Sequence, residues 1–248
     1  MQIGVLGATG PAGRGLSARL AANGHEVILG SREEERAAEA VRRLQERWPD
    51  RSLVLAAATN EGAADAEVVV VATPWIAAST TAEAVADRLE GKVVISMANA
   101  LAKVGHEFQP LVPPRGSVAA SVQAAVPRAL VSAAFHHVPA KELGDIDRPI
   151  ESDVLVCSDH PEATALTVDL VNGLPDLRAL DSGELSNAAP IEAFAAVLLQ
   201  VNVRYRTRIA LRFTGLDDGR VGAPRSADAV RAAAARQGVA GDHGQENP

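Results

Sequence analysis

Short apolar runs recur along the chain, each followed by a longer stretch in which apolar positions return every three or four residues. Residues 3–7 form the first run, and Leu16 and Leu20 then mark one face of a helix. Asn23-Gly24 stops that helix, and residues 26–30 supply the next strand. A charged helix is expected over 33–47, with strands at 53–57 and 67–73. Val68, Val69, Val70 and Val71 are continuously β-branched, as in a strand buried on both faces of a parallel sheet. A helix over 76–89 leads to a strand at 92–96, and the prolines of 110–116 mark a loop. Further strands are expected at 130–135, 154–157 and 177–180, with a helix over 161–172 between the last two. A long apolar helix over 189–212 closes the patterned part.

Strands alternating with helices at this spacing indicate right-handed crossovers and an α/β, doubly wound (Rossmann) fold. The sheet is mostly parallel, with a C-terminal helical appendage. The expected organisation is a nucleotide-binding domain with an extended sheet over 1–182 and a C-terminal helical region over 183–216. A polar, flexible tail rich in Gly, Ala and Arg follows over 217–248.

Composition narrows the class. Hydrophobic residues make up 47% and charged residues 22%, enough for a sizeable core. A net charge of −7 argues against nucleic acid or an anionic membrane as partner. No apolar run approaches the roughly 20 residues of a membrane span. Cys157 is the lone cysteine, so no intrachain disulfide forms, and the chain enters structure at once, without room for a signal peptide. The expectation is a cytoplasmic protein.

Gly7-Ala8-Thr9-Gly10-Pro11-Ala12-Gly13 lies between the first strand and the first helix, where a dinucleotide fingerprint belongs. Gly7 permits the tight turn, Gly10 lets backbone amides approach a pyrophosphate, and Gly13 lets helix and strand pack closely. Pro11 suits the first helical turn, whose amide needs no partner, and the helix N-terminus carries partial positive charge. At the end of the second strand, an acidic residue would bond a ribose 2′-hydroxyl. Here stand Ser31 and Arg32, with Arg36 four residues on and on the same helical face. A guanidinium there matches a 2′-phosphate, which favours NADP(H) over NAD(H). Thr73-Pro74-Trp75 and Ser96-Met97-Ala98-Asn99 follow the next two strands, at the edge where such folds bind ligands. Trp75 either contacts the cofactor there or caps the core.

Several reductase chemistries are excluded. Tyr205 is the sole tyrosine and position 209 is Ile, so no Tyr-x-x-x-Lys acid pair exists. Lysine occurs only at 92, 103 and 141, which leaves no catalytic lysine in the last helix. No His, Cys or Asp cluster has metal-ligand spacing, so no metal is expected. A dinucleotide site without an evident proton donor suits hydride transfer between two cofactors, which needs their reacting carbons held face to face with water excluded.

The sequence over 1–216 resembles the NADPH-dependent reductases of coenzyme F-420, a deazaflavin. The resemblance is carried by residues 7–13, by Gly-His-Glu-Val-Ile-Leu-Gly-Ser-Arg at 24–32 and by Thr73-Pro74-Trp75. It continues through Ser-Ala-Ala-Phe-His-His-Val-Pro-Ala at 132–140, residues 153–157 and residues 180–187. It implies that Thr9, Ser31, Arg32 and Arg36 hold the 2′-phosphate region of NADPH. It also implies a deazaflavin pocket lined by Met97, Ala98, His136, Val138, Pro139 and Ala140, with Leu211 or Phe213 from the last helix. There C5 of the deazaflavin stacks on C4 of the nicotinamide, and His136 positions the ring or tunes charge at its N1/O2 edge. The loop is one residue longer than in that family, which leaves His137 as the alternative. Residues 97–101 depart from the family pattern, and the tail after Asp217 has no counterpart in it. A homodimer through the last helix is the expected assembly. The rival functions are NADPH-dependent reduction of a flavin, ferric chelate or imine, and NADPH sensing without catalysis.

Overall fold

The computed structural model describes residues 1–216; the expected tail lies outside them. The chain runs β1 (Gln2–Leu6), α1 (Pro11–Ala22), β2 (Glu26–Ser31), α2 (Glu34–Arg47), β3 (Leu55–Thr59), α3 (Asn60–Ala63) and β4 (Val68–Val71). It continues α4 (Trp75–Glu83), α5 (Ala86–Leu89), β5 (Val93–Ser96), β6 (Leu101–Val104), β7 (Glu107–Pro110), α6 (Val118–Ala125) and β8 (Leu130–Ala133). The last elements are α7 (Ala140–Leu143), β9 (Ser152–Ser158), α8 (Pro161–Asn172), β10 (Leu177–Asp181), a single 3-10 turn at Leu185–Asn187, and α9 (Ala188–Tyr205).

Eight strands form one sheet in the order β10-β9-β8-β5-β4-β1-β2-β3. The six from β8 to β3 are mutually parallel; β9 runs antiparallel to β8, and β10 follows β9 in parallel. The carboxyl ends of β1, β2, β4, β5 and β8 therefore share one edge. Both faces are covered, and the valine run shows how. Val68 and Val70 enter the core on one side of the sheet with Ile3, Val5 and Ile95. Val69 and Val71 enter the other, with Leu6 and Val94. Alternation of side chains along a strand gives each residue one of two apolar layers, so a continuous apolar run is required.

Several boundaries differ from the pattern-based expectation. The third strand sits two residues later than expected, because its register is set by pairing of Val27 with Leu55. The single helix expected over 76–89 is two, broken where Val85 takes φ −122°. The β6–β7 hairpin is short and mostly exposed, and turns at Gly105 with φ +60°. Its bond from the Phe108 amide to Gln200 Oε1 (3.2 Å) ties it to α9, so tertiary packing rather than alternation explains it. The last helix ends at Tyr205 rather than at 212: Arg206 is left-handed (φ 51°), and the chain turns back toward β9. There the Asp153 amide donates to the Leu211 carbonyl at 2.6 Å. Leu211 thus comes from an extended return segment, not from the helix, and Phe213 falls outside the compact unit Met1–Arg212.

Candidate nucleotide-binding site

The glycine loop is built by two different demands. Gly7 has φ +71°, and a Cβ there would lie 2.5 Å from Thr73 Cγ2. Its amide donates to Asn60 Oδ1 at 3.1 Å, and the Ala8 amide donates to the Gly30 carbonyl at 2.9 Å, which pins the turn. Gly10 has ordinary extended geometry (φ −72°, ψ 161°), and a Cβ there would meet only the Gly7 carbonyl, at 3.8 Å. The protein itself does not require glycine at 10, and the space a Cβ would take there is open. Gly13 is a packing glycine, its Cβ position 2.9 Å from Ala72 Cβ. Helix α1 starts with Pro11, without a side-chain cap and without an acidic residue in its first turn. Its first amides lack intrahelical acceptors and point their partial charge into the cleft.

A cavity of about 680 Å³ opens at this edge. Its lining brings together Gly7, Thr9, Gly10, Pro11, Ala12, Ser31, Arg32, Arg36, Thr73, Pro74, Trp75, Met97 and Ala98. Asn60, Ala72, Ala77, Thr81, Asn99 and Leu101 complete it. Asn99 belongs to the expected segment after β5; the other five were not singled out by motif reading, although Asn60 directly follows β3 and shares the strand-end logic. Arg32 and Arg36 are exposed and carry no ion pair among the described residues. Further along α2, Arg42 and Arg43 are paired with carboxylates of their own helix: Arg42 with Glu39 and with Glu46 at 2.6 Å, Arg43 with Glu39 at 2.6 Å. The two arginines at the cavity mouth are therefore not balancing their own helix. Ser31 is buried and its hydroxyl accepts from the Glu33 amide at 3.4 Å, shaping the turn that presents Arg32. Trp75 packs against the core and also lines the cavity.

The remaining expected residues lie elsewhere. His136, Val138, Pro139 and Ala140 do not line this cavity; the first two are buried, and Ala140 borders a neighbouring groove. His136 stands behind the lining: its carbonyl accepts from Asn99 Nδ2 at 2.6 Å, and Asn99 faces the cavity. Phe135, immediately before it, is left-handed (φ 64°), an uncommon state for a bulky residue, and it re-aims the chain after β8. Burial, reinforced by His137, pushes the His136 imidazole down to about 3, with only a weak opposing pull from the Ala98 carbonyl. Neither ring nitrogen has a partner at hydrogen-bonding geometry. His136 is neutral at physiological pH and acts as a dipole, not a cation. His137 Nε2 is bonded to the Asp153 carbonyl at 2.6 Å, and burial lowers its pKa as well.

Thr73 Oγ1, Ser96 Oγ, Asn99 Oδ1 and both His136 nitrogens are buried side-chain atoms without a partner among the described residues. They follow or end neighbouring strands at one edge. Such atoms are rare in folded proteins, and the two that line the cavity, Thr73 Oγ1 and Asn99 Oδ1, are open to a ligand's polar groups. The cavity therefore fits a dinucleotide: an open cradle at Gly10, a bare helix N-terminus, two unpaired guanidinium groups, and polar capacity at the inner end. Among the described residues no group of His, Cys, Asp or Glu could hold a metal ion, and no helix is long and apolar enough to cross a membrane.

A family model described as coenzyme F-420-dependent NADP oxidoreductase matches residues 2–100. The F-420-dependent NADP reductase of Methanocaldococcus jannaschii is 34% identical over 223 residues, covering 88% of this chain and 100% of that protein. The enzyme of that name from Methanothermobacter marburgensis is 35% identical over 224 residues, with 88% and 100% covered. A crystal structure from Arthrobacter sp. FB24, assigned as an F-420-dependent NADP reductase, has a TM-score of 0.72 at 27% identity and covers 86% of this chain and 99% of that one. With relatives matched along their whole length at 34% and 35% identity, the chain belongs to the coenzyme F-420-dependent NADP oxidoreductase family.

Proposed function

We propose that this protein transfers hydride reversibly between NADPH and coenzyme F-420. The observation that carries the reading is the chemical character of the cavity: among the described residues its only charged side chains are Arg32 and Arg36, and no carboxylate, histidine, cysteine, lysine or tyrosine lines it. Reduction of an imine or carbonyl needs a proton donor beside the reacting carbon; hydride exchange between two rings needs position and dryness.

When bound, NADPH supplies a hydride from its nicotinamide and the deazaflavin accepts it. The chain's own part is binding and orientation. The Gly10 cradle and the first turn of α1 hold the pyrophosphate through amides and helix polarity. Arg32 and Arg36 hold the 2′-phosphate, with Thr9 and Ser31 beside them. Thr73, Pro74 and Trp75 flank the nicotinamide end. Met97, Ala98 and Asn99 face the second ring, and the neutral His136 behind Asn99 stiffens that wall through its carbonyl. A neutral imidazole leaves the electrostatics of hydride departure to the two rings, consistent with a reversible reaction.

Mixing the protein with NADPH and oxidised F-420 should bleach the deazaflavin's visible band at a rate proportional to enzyme. Bleaching of free flavin with F-420 left untouched would move the assignment to a flavin reductase. NADPH binding without turnover of any acceptor would make the protein a sensor.

A further inference from the structure

Of the buried side-chain atoms that find no partner among the described residues, only Thr73 Oγ1 and Asn99 Oδ1 belong to residues lining the nucleotide cavity. Their surroundings fix what they can bind. Asn99 Nδ2 donates to the His136 carbonyl at 2.6 Å. A carbonyl cannot donate, so this bond decides how the Asn99 amide is turned and leaves Oδ1, an acceptor only, without a partner. That carbonyl is itself aimed by the left-handed Phe135 before it (φ 64°). Thr73 is buried, and its methyl branch Cγ2 faces Gly7, where a Cβ would lie 2.5 Å away. Its hydroxyl can accept as well as donate. The pair therefore offers two uncharged acceptors to whatever enters this part of the cavity.

Sheet order says which part of a dinucleotide reaches them. The glycine loop follows β1; Arg32 follows β2 on one side of it, and Thr73 and Asn99 follow β4 and β5 on the other. Val71 pairs with Ser96 at the ends of β4 and β5, so the segments carrying Thr73 and Asn99 leave the sheet from neighbouring strands. A nucleotide with its pyrophosphate at Gly10 and its 2′-phosphate at Arg32 extends its other end toward these two side chains. The adenine amino group is attached through the ribose that bears the 2′-phosphate and stays on the β2 side. The N–H donor that reaches the β4–β5 side is the carboxamide of the nicotinamide, whose NH2 carries two hydrogens for two acceptors.

We propose that Thr73 Oγ1 and Asn99 Oδ1 anchor the nicotinamide carboxamide and select that amide over other substituents at its ring position; this rests on the reading above, in which NADPH supplies the hydride. The carboxamide stands on C3, beside the reacting C4, so anchoring it fixes where C4 lies against the wall of residues 97–99. Selectivity follows from burial. A buried acceptor left without a donor loses its hydration and regains nothing, so a hydrogen-bonding site rejects an analogue lacking the donor more sharply than an apolar pocket rejects an added methyl.

Calorimetric titration of NADP+ and of its 3-acetylpyridine analogue, in which a methyl replaces the carboxamide NH2, tests this without turnover. The wild-type protein should bind NADP+ about tenfold or more tighter, because the analogue leaves both acceptors unpaired. The thionicotinamide analogue, which keeps the NH2, should bind within a few-fold of NADP+; one as weak as the acetylpyridine compound counts against the anchor. Thr73→Val and Asn99→Leu, close in shape to the native side chains, should each cut the preference at least about threefold, by weakening NADP+ and sparing the acetylpyridine analogue. A residue acting only through the fold would on substitution weaken both nucleotides alike, and an unchanged preference overturns the role given to that residue. Equal wild-type affinity for NADP+ and the acetylpyridine analogue overturns the anchor outright, and this comparison needs no variant to fold. A preference for the amide without hydride transfer to F-420 would keep the anchor and sink the reductase reading. Hydride transfer with no such preference would do the reverse.

Discussion

Gly7 and Gly10 stand three residues apart in one motif, yet alanine at each should have opposite consequences. At Gly7 the backbone is left-handed and the added methyl would press on Thr73 Cγ2 at 2.5 Å. The conformational cost is about 1–2 kcal/mol and the overpacking about 1–3 kcal/mol, so Gly7→Ala should lose roughly 2–5 kcal/mol of stability. For a chain of this size that lowers Tm by roughly 5–15 °C. At Gly10 the backbone is ordinary and the nearest atom to a new Cβ is 3.8 Å away. Poorer N-capping and reduced unfolded-state entropy nearly offset one another there, leaving stability within about 1 kcal/mol of wild type. The methyl would instead occupy the cradle facing the pyrophosphate, and NADPH affinity should fall at least about tenfold, or about 1.4 kcal/mol. Thermal melts paired with NADPH titrations on both variants decide the matter. A Gly10→Ala protein that binds NADPH like wild type would refute the assignment of this loop, as would a Gly7→Ala protein of undiminished Tm.

Arg32→Ala should weaken NADPH by about 1.5–3 kcal/mol, the value of a charge-assisted contact, and NADH far less; equal losses for the two nucleotides would contradict its role. Arg42→Ala, on the same helix but paired with glutamates, should change neither affinity. Because His136 is already neutral, kcat should show no inflection near pH 6.5, and one abolished by His136→Gln would count against that protonation state. Buried Glu192, whose carboxylate accepts from the Val118 (2.8 Å) and Ala119 (3.0 Å) amides, is pushed by burial up to about 7. The folded chain thus holds this proton more tightly than the unfolded chain does. Its stabilising effect is full below the ordinary value of 4.5 and is lost as pH rises through about 7. The stability difference between wild type and Glu192→Gln, followed by denaturant melts, should shrink over that window; a flat difference would show the carboxyl to be unshifted. Arg19→Ala strands four carbonyl acceptors around a buried site and should cost about 3–5 kcal/mol, with residues 142–148 the first to lose amide protection in hydrogen exchange.

The nucleotide half of the site was legible in the sequence because local chemistry dictates it. A glycine loop between strand and helix, and Ser31-Arg32 at the end of β2, are adjacent in sequence and in space. The second half was less legible because it depends on long-range placement. His136 was identified as a ring neighbour, but the left-handed Phe135 turns the chain so that His136 backs the wall through Asn99. Nothing in the composition of residues 132–140 announces a positive φ at a phenylalanine. Asn60 escaped for the same reason: its bond to the Gly7 amide joins positions 53 residues apart. Strands inside the sheet declared themselves through apolar runs, whereas the β6–β7 hairpin, which leans on α9, carried no such pattern. The last helix was expected to run to 212 because no glycine or proline interrupts 206–212, and only the left-handed Arg206 redirects the chain.

The central claim is direct hydride passage between two rings in a cavity that offers no proton donor. Single-turnover reaction of NADPH deuterated at the transferable C4 position, with oxidised F-420 in ordinary water, tests it most directly. Deuterium should appear quantitatively at C5 of the reduced deazaflavin. A product carrying hydrogen from solvent at that carbon would contradict the account.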